Sequence, residues 1–285
     1  MQRWFVTLAL AALGCGDPRG STPISASVSA SPSASASASA SAPASASASA
    51  SASASASASA SASASASPSP VELPVPDDLP AFLVPPPPGA PPVRTVFLTG
   101  SCTHPLDSIR PFAEAAAKHG GLLALQGDLP CKSSKDGRLR RWSSDTAATH
   151  ARIAAALAAA GGATRGLTLM GYSQGAERAE WIGNKFHGIY THFVLMAGPG
   201  IPSPSRFEGA LGVVTLAGHG DVRENMAIGA QRLRHAKIPA IYMEIPTITH
   251  GELAPGADAV VSQAFDWLST SSLTEPRPRR EAKRR

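Results

Sequence analysis

The sequence feature that most constrains this chain is a short string at residues 171–175, which reads Gly-Tyr-Ser-Gln-Gly. It follows the apolar run 167–170 and precedes a stretch with helical spacing of apolar residues, which predicts a strand, a sharp turn and a helix. Such a turn strains the backbone at Ser173 and leaves room only for small residues, here Gly171 and Gly175. The helix start directs free N–H groups at a developing negative charge. The pattern indicates a nucleophilic serine, with the backbone N–H of Gln174 as one oxyanion donor.

A nucleophilic serine needs a base and a group that orients this base. Three short β-rich runs follow the helix, and each ends in turn residues: 191–196, 213–216 and 240–245. The loop after the second run offers Asp221, and the loop after the third offers His250. We therefore predict a catalytic triad of Ser173, Asp221 and His250, in an order along the chain that is known for such triads.

Alternatives remain open for both partners of the serine. Asp221 could simply end a turn, a role that Gly-Asp pairs often fill, and His250 could be a surface histidine. His219 and His104 fall in loops on the same side of the predicted sheet and are the rival bases. Glu224 is the rival acid.

With these residues in view, residues 93–270 resemble an α/β-hydrolase. The string 171–176, Gly-Tyr-Ser-Gln-Gly-Ala, is similar to that of cutinases and of small phospholipase/carboxylesterase enzymes, and the Gly220-Asp221 pair also fits them. The resemblance implies a serine esterase that acts on a small-molecule ester and needs no metal or organic cofactor. A serine peptidase of the same fold and a catalytically silent, tethered binding module are the alternatives.

The chain alternates predicted strands with predicted helices, which favours a doubly wound, mostly parallel α/β sheet. The six predicted strands are 94–99, 122–126, 166–170, 191–196, 212–217 and 239–245. The predicted helices are 108–119, 146–160, 174–185, 223–235 and 257–268. Residues 71–92 are so rich in proline that we expect no leading antiparallel strands there. The expectation is a minimal α/β-hydrolase domain over 93–272.

The loop after the strand at 94–99 carries two further expectations. The resemblance implies that the backbone N–H of Ser101 is the second oxyanion donor, with that of Cys102 next in line, although the loop could equally be a plain turn. In the strand order of hydrolases the strands before Cys102 and Cys131 are neighbours, so the resemblance also implies a disulfide between them, which an oxidising compartment would permit. Two free buried thiols are the alternative.

The first 92 residues have a different composition from the rest. Residues 1–14 combine a basic start with an apolar stretch too short to span a bilayer, which predicts a signal peptide. Cys15 follows Gly14 directly and is the predicted lipidation site of a bacterial lipoprotein. Residues 15–92 contain a long Ser-Ala repeat and then a proline-rich segment, which predicts a disordered linker because alanine and serine bury too little to offset the ordering entropy.

These features predict an exported protein that is lipid-anchored to the bacterial cell envelope, with simple secretion as the alternative. The basic tail 273–285 contributes much of the formal net charge of +5 and is expected to be disordered. Basic residues without interleaved aromatic residues give no support for nucleic-acid binding. A second basic cluster, in the segment 132–142, is expected to overhang the predicted catalytic end, as a solvated loop or as a contact for an anionic substrate.

Overall fold

The computed structural model describes residues 68–271. The predicted signal peptide 1–14, the lipidation site Cys15, the Ser-Ala part of the linker and the basic tail 273–285 lie outside the described residues. In the described part of the chain, no helix is long and apolar enough to cross a membrane.

The centre of the domain is an eight-stranded sheet in the order β1-β2-β4-β3-β7-β8-β9-β10. Its strands are β1 (Val71–Leu73), β2 (Ala81–Val84), β3 (Thr95–Leu98), β4 (Leu122–Leu125), β7 (Leu167–Tyr172), β8 (Tyr190–Met196), β9 (Gly212–Ala217) and β10 (Ala240–Glu244). Two short hairpins lie outside it: β5 (Leu129–Pro130) with β6 (Arg140–Arg141), and β11 (Thr247–Thr249) with β12 (Glu252–Leu253). The strands β4, β3 and β7 to β10 run parallel, so the mostly parallel sheet is confirmed.

The expected absence of leading antiparallel strands is wrong. The strands β1 and β2 pair antiparallel, and β2 also pairs antiparallel with β4. The prolines of this segment flank the strands instead of interrupting them, because Val71–Leu73 and Ala81–Val84 contain none. The linker therefore ends before residue 71, not at residue 92, and the sheet is not a minimal one.

Helices cover both faces of the sheet. They are α1 (Pro105–Ile109), α2 (Ala113–Lys118), α3 (Thr146–Ala159), α4 (Gln174–Lys185), α5 (Arg223–His235) and α6 (Ala257–Ser271). The single helix expected over 108–119 is instead α1, a 3-10 turn and α2. Pro111 explains the break because it cannot donate a helix hydrogen bond. Pro105 starts α1 three residues earlier than expected, at a position that proline favours.

The sheet separates two apolar cores, because successive side chains of a strand point to opposite faces. Leu98 and Leu169 pack in the core beneath α3, α4 and α5, whereas Phe97 and Met170 pack in the core beneath α1, α2 and α6. All of these side chains are buried. This double burial fixes the register of β3 and β7 and brings the carboxyl ends of the parallel strands to one edge of the sheet.

Candidate active site

Ser173 occupies a strained turn between β7 and α4. Its φ is +52° and its ψ is −117°, in the left-handed half of φ space that side chains other than glycine rarely adopt. A Cβ on Gly171 would overlap the carbonyl oxygen of Gly175, and a Cβ on Gly175 would overlap that of Leu98. The two glycines therefore permit the close approach of strand and helix that the turn requires.

The structure brings Ser173, His250 and Asp221 into one hydrogen-bonded line. Nε2 of His250 lies 3.0 Å from Oγ of Ser173, and Nδ1 of the same ring lies 2.8 Å from Oδ1 of Asp221. The Asp221 side chain is 1% exposed whereas that of His250 is 52% exposed. The second carboxylate oxygen of Asp221 accepts a 2.7 Å hydrogen bond from the backbone N–H of Gly218. The carboxylate is thus buried and fixed, whereas about half of the imidazole is exposed to solvent.

The loops that carry Asp221 and His250 touch each other at glycines. The backbone N–H of Gly220 donates to Oγ1 of Thr247 at 3.1 Å, which ties the turn after β9 to the β11–β12 hairpin. A Cβ on Gly220 would lie 2.9 Å from the backbone nitrogen of His250, closer than side chains pack. Gly220 therefore allows the approach that places the histidine over the aspartate.

Tyr172 is a further residue of this site that the sequence analysis did not single out. Its hydroxyl accepts a 2.7 Å hydrogen bond from the backbone N–H of Gly251 and donates to Oδ1 of Asp221 at 3.5 Å. Burial raises the pKa of Tyr172 to about 12, so the hydroxyl keeps its proton at neutral pH. This hydroxyl links the elbow to both the histidine loop and the aspartate. In the sequence, the one indication of this role is that a tyrosine, whose ring carries a polar hydroxyl, directly precedes the serine.

The backbone segments that carry the two expected oxyanion donors both run next to the serine. Gln174 is the first residue of α4, and a Cβ on Gly100 would lie 3.6 Å from the Cβ of Ser173, so the loop that contains Ser101 runs beside the nucleophile. The backbone N–H of Cys102 donates to the carbonyl oxygen of Arg140 at 2.7 Å. This hydrogen bond removes Cys102 from the candidate donors.

Cys102 and Cys131 form a disulfide in the structure, with their Cα atoms 5.7 Å apart. The bridge joins the loop after β3 to the start of the segment that contains β5 and β6. At the other end of that segment the side chain of Gln174 accepts from the backbone N–H of Trp142 at 2.9 Å and donates to its carbonyl oxygen at 3.2 Å. The segment is therefore attached to both sides of the candidate oxyanion site.

The rival residues lie elsewhere. The Nδ1 atom of His104 accepts from the backbone N–H of Leu106 at the start of α1, and burial lowers the pKa of this histidine. His219 is exposed, and it is His250 that contacts the serine. Glu224 is in the first turn of α5, whereas Asp221 contacts the histidine. Within residues 68–271, no group of three or more histidine, cysteine, aspartate or glutamate side chains could hold a metal ion.

Comparison with solved structures agrees with this architecture. An esterase from the archaeon Pyrobaculum calidifontis matches 70% of this chain and 84% of its own, with 13% identity and a TM-score of 0.50. The chain has the α/β-hydrolase fold. A thermostable carboxylesterase cloned from a metagenomic library matches 71% of this chain and 88% of its own, with 13% identity and a TM-score of 0.51. A Klebsiella pneumoniae protein matches 70% and 98%, with 17% identity and a TM-score of 0.51.

At these identities the likeness establishes the fold alone. No protein-family model matches the sequence, and no curated protein sequence matches it. The α/β-hydrolase fold accounts for the order of the strands and for the edge at which Ser173, Asp221 and His250 meet. What this domain does must be argued from the site itself.

Proposed function

We propose that this domain is a serine hydrolase that cleaves carboxylic esters, with Ser173 as nucleophile, His250 as general base and Asp221 as the group that orients the base. The proposal rests on two hydrogen bonds of His250, one to Asp221 at 2.8 Å and one at 3.0 Å to Ser173, which lies in a strained turn. Esterase chemistry in two solved structures with the same fold supports the choice of an ester as substrate. Because about half of the His250 side chain is exposed to solvent, an alcohol can leave past it.

In the first half of the reaction Nε2 of His250 takes the proton of the Ser173 hydroxyl as Oγ attacks the ester carbonyl. The carbonyl oxygen becomes an oxyanion that accepts hydrogen bonds from the backbone N–H groups of Ser101 and Gln174, and one such donor is worth about 3 kcal/mol in the transition state. Asp221 holds the Nδ1 proton and stabilises the imidazolium. The C–O bond to the alcohol then breaks, and the alcohol leaves with the proton from His250.

In the second half a water molecule replaces the alcohol. His250 takes a proton from this water as its oxygen attacks the acyl carbon on Ser173, and the same two N–H groups stabilise the second oxyanion. The acyl–Oγ bond breaks, the carboxylic acid leaves, and the proton returns to the serine. The cycle consumes one water and needs no other reactant.

A fluorophosphonate probe tests whether the serine is activated. We expect the wild-type protein to be labelled and Ser173→Ala to be unlabelled with an unchanged melting temperature. A matched control is Ser143→Ala, whose serine lies in the same domain outside the triad. A labelled Ser173→Ala variant would remove the assignment. Hydrolysis of short acyl esters, compared with peptide amides of the same acyl group, separates the esterase from a peptidase, and a folded protein with neither activity would be a binding module.

We also propose that the domain is exported and anchored by a lipid on Cys15. The Cys102–Cys131 disulfide supports this location because such bonds persist in oxidising compartments. In a bacterial host the wild-type protein should take up labelled fatty acid and partition into detergent, and Cys15→Ser should do neither. A wild-type protein without lipid, whose mature N-terminus lies beyond Cys15, would indicate secretion instead.

A further inference from the structure

The segment from residue 129 to residue 142, here called the basic hairpin, is fixed beside the nucleophile. The Cys102–Cys131 disulfide holds its first strand, and the hydrogen bond from Cys102 to Arg140 holds its second. Trp142, which ends the hairpin, is buried and donates its indole N–H to the carbonyl oxygen of Thr99 at 2.7 Å. These attachments fix the backbone of the hairpin relative to the site.

The end of the basic hairpin reaches the residue next to the serine. The backbone of Trp142 makes two hydrogen bonds with the side chain of Gln174, the first residue of α4. Arg141 directly precedes Trp142. Arg141 is exposed, and at 0.1 M salt, where the Debye length is about 10 Å, its charge acts on groups within about that distance.

The charges of the basic hairpin are mostly unpaired. Its cations are Lys132, Lys135, Arg138, Arg140 and Arg141. Of these five side chains, only that of Arg140 is hydrogen-bonded among the residues that the structure describes: its guanidinium donates to the carbonyl oxygens of Gly127, Asp128 and Gly137. The other four are exposed, and none of them makes an ion pair within residues 68–271.

Two carboxylates of this region, Asp136 and Asp128, accept hydrogen bonds from neutral donors. Asp136 accepts from the hydroxyl of Ser134 at 2.8 Å and from the backbone N–H of Arg138 at 3.1 Å. Asp128 accepts from the backbone N–H of Ser143 at 2.8 Å. Both carboxylates keep their charge, so the basic hairpin itself holds five cations and one anion, Asp136, and this excess of positive charge suits an anion.

A cleft lies beside the basic hairpin. It has a volume of about 580 Å³ and lies between the basic hairpin and the segment 104–110. The cations Arg110, Lys135 and Arg138 line it, together with Asp107 and Asp136. His104 also lines it. Because His104 is four residues beyond Gly100, their Cα atoms are at most about 14 Å apart.

We propose that the basic hairpin makes the site selective for esters that carry an anionic group, a carboxylate or a phosphate, on the acyl or the alcohol side. This proposal rests on the proposed function, because the hairpin acts on a substrate bound at Ser173. The exposed cations attract the anion and hold it along the cleft while the ester carbonyl lies at the serine. The selectivity is electrostatic, so salt must weaken it.

The test uses pairs of esters that differ only in charge. For the acyl side, para-nitrophenyl monoesters of succinate, adipate and suberate are compared with the same diacids capped as methyl esters. For the alcohol side, para-acetoxybenzoate is compared with its methyl ester. The readout is the ratio of kcat/KM for the anionic ester to kcat/KM for its neutral partner, which a general loss of folding or of the triad would not change.

We expect this ratio to be about tenfold or more at low ionic strength and to fall severalfold in about 0.5 M NaCl, where the Debye length is about 4 Å. A hairpin variant with Lys132→Gln, Lys135→Gln, Arg138→Gln and Arg141→Gln should lower the ratio about tenfold. The matched control removes four exposed cations from the opposite edge of the sheet (Arg165→Gln, Lys185→Gln, Arg232→Gln and Lys237→Gln) and should change the ratio less than twofold.

Each outcome is decisive. A preference on one side only supports the proposal and identifies that side, and the length series shows how far the anion lies from the carbonyl. Equal hydrolysis of charged and neutral esters, or an equal effect of hairpin and control variants, overturns the selectivity but leaves the esterase intact. No hydrolysis of any ester by the folded wild-type protein would overturn the proposed function and this inference with it. If the fourfold variant does not fold, Arg138→Gln and Arg141→Gln alone and the salt dependence of the wild type decide.

Discussion

Two walls of the site are built in different ways. The loops after β7, β9 and β10, here called the triad loops, are joined by individual hydrogen bonds and glycine contacts, such as the bond of Gly220 with Thr247. The basic hairpin on the other side is joined to the domain by a disulfide and by a buried tryptophan. In the proposed function the triad loops supply the groups that cleave the ester, and the hairpin lies beside them on a firmer support.

The largest effect should come from the triad loops. Ser173→Ala and His250→Ala should each lower kcat by about 10⁴-fold or more, because the two side chains act as a unit, and the double variant should be little worse than either single variant. Kinetics on a short acyl ester measure this. His219→Ala is the matched control in the same loops and should retain most of the activity. A dead His219→Ala with an active His250→Ala would reassign the base.

The second effect concerns the hairpin wall. Cys102 and Cys131 are separated by 29 residues, and closing such a loop is worth about 3–4 kcal/mol of unfolding free energy. The Cys102→Ser/Cys131→Ser variant should lose about that much stability in urea unfolding. It should also label more slowly with a fluorophosphonate, because the loop that contains Ser101 loses its covalent support. Unchanged stability and labelling would mean that the noncovalent contacts of Trp142 suffice.

The helix α4, which carries Gln174 at its start, gives a third test through pH. The side chain of Glu180 is 5% exposed, and it pairs with Arg206 at 3.0 Å. Burial raises its pKa to about 7, although Arg206 opposes the shift. A folded pKa above the unfolded one means that the native state binds the proton more tightly, so this contribution to stability is complete below about pH 4.5 and is lost as the pH rises through about 7.

The unfolding free energy of the wild type should therefore fall by about 2–3 kcal/mol from pH 5 to pH 8 through this group. Glu180→Gln should flatten that slope. Glu177→Gln, which removes a carboxylate that is 39% exposed on the same helix, is the control and should leave the slope in place. A slope that is equally steep in Glu180→Gln would show that another group causes it.

The smallest effect should come from a single hydroxyl among the triad loops. Tyr172→Phe keeps the ring and removes the hydrogen bonds to Gly251 and Asp221, so we expect kcat to fall about tenfold with little change in KM, because the histidine is positioned less well. Tyr190→Phe is the control, since Tyr190 is also a buried strand residue and its hydroxyl bonds to His150 at 2.8 Å, away from the site. Equal losses in both variants would indicate a purely structural role.

The sequence predicted what depends on local pattern. The strand–turn–helix around Ser173 and the six parallel strands follow from the spacing of apolar residues and from turn residues, and the structure has them within about two residues of the predicted bounds. The positions of Asp221 and His250 followed from the chain order of strand ends. Each of these signals lies within one strand and its following loop.

The sequence did not predict what depends on distant partners. The strands β1 and β2 escape a prediction from composition because proline must be absent only from a strand's interior, and the prolines of this segment flank the strands. The contacts of Trp142 with Gln174 and Thr99 join residues 32 and 43 positions apart, and no local pattern indicates them. The role of the Tyr172 hydroxyl likewise requires the loop at Gly251 to be in place.

The central claim is that Ser173 is the activated nucleophile of an esterase, and mass spectrometry of the protein after fluorophosphonate treatment tests it most directly. Trypsin should release residues 166–178 as a peptide, because Arg165 and Arg178 bound it. We expect one phosphonyl group per protein, located on Ser173 within this peptide, and none in the His250→Ala variant. An unmodified protein, or an adduct on another residue that persists in Ser173→Ala, would contradict the account.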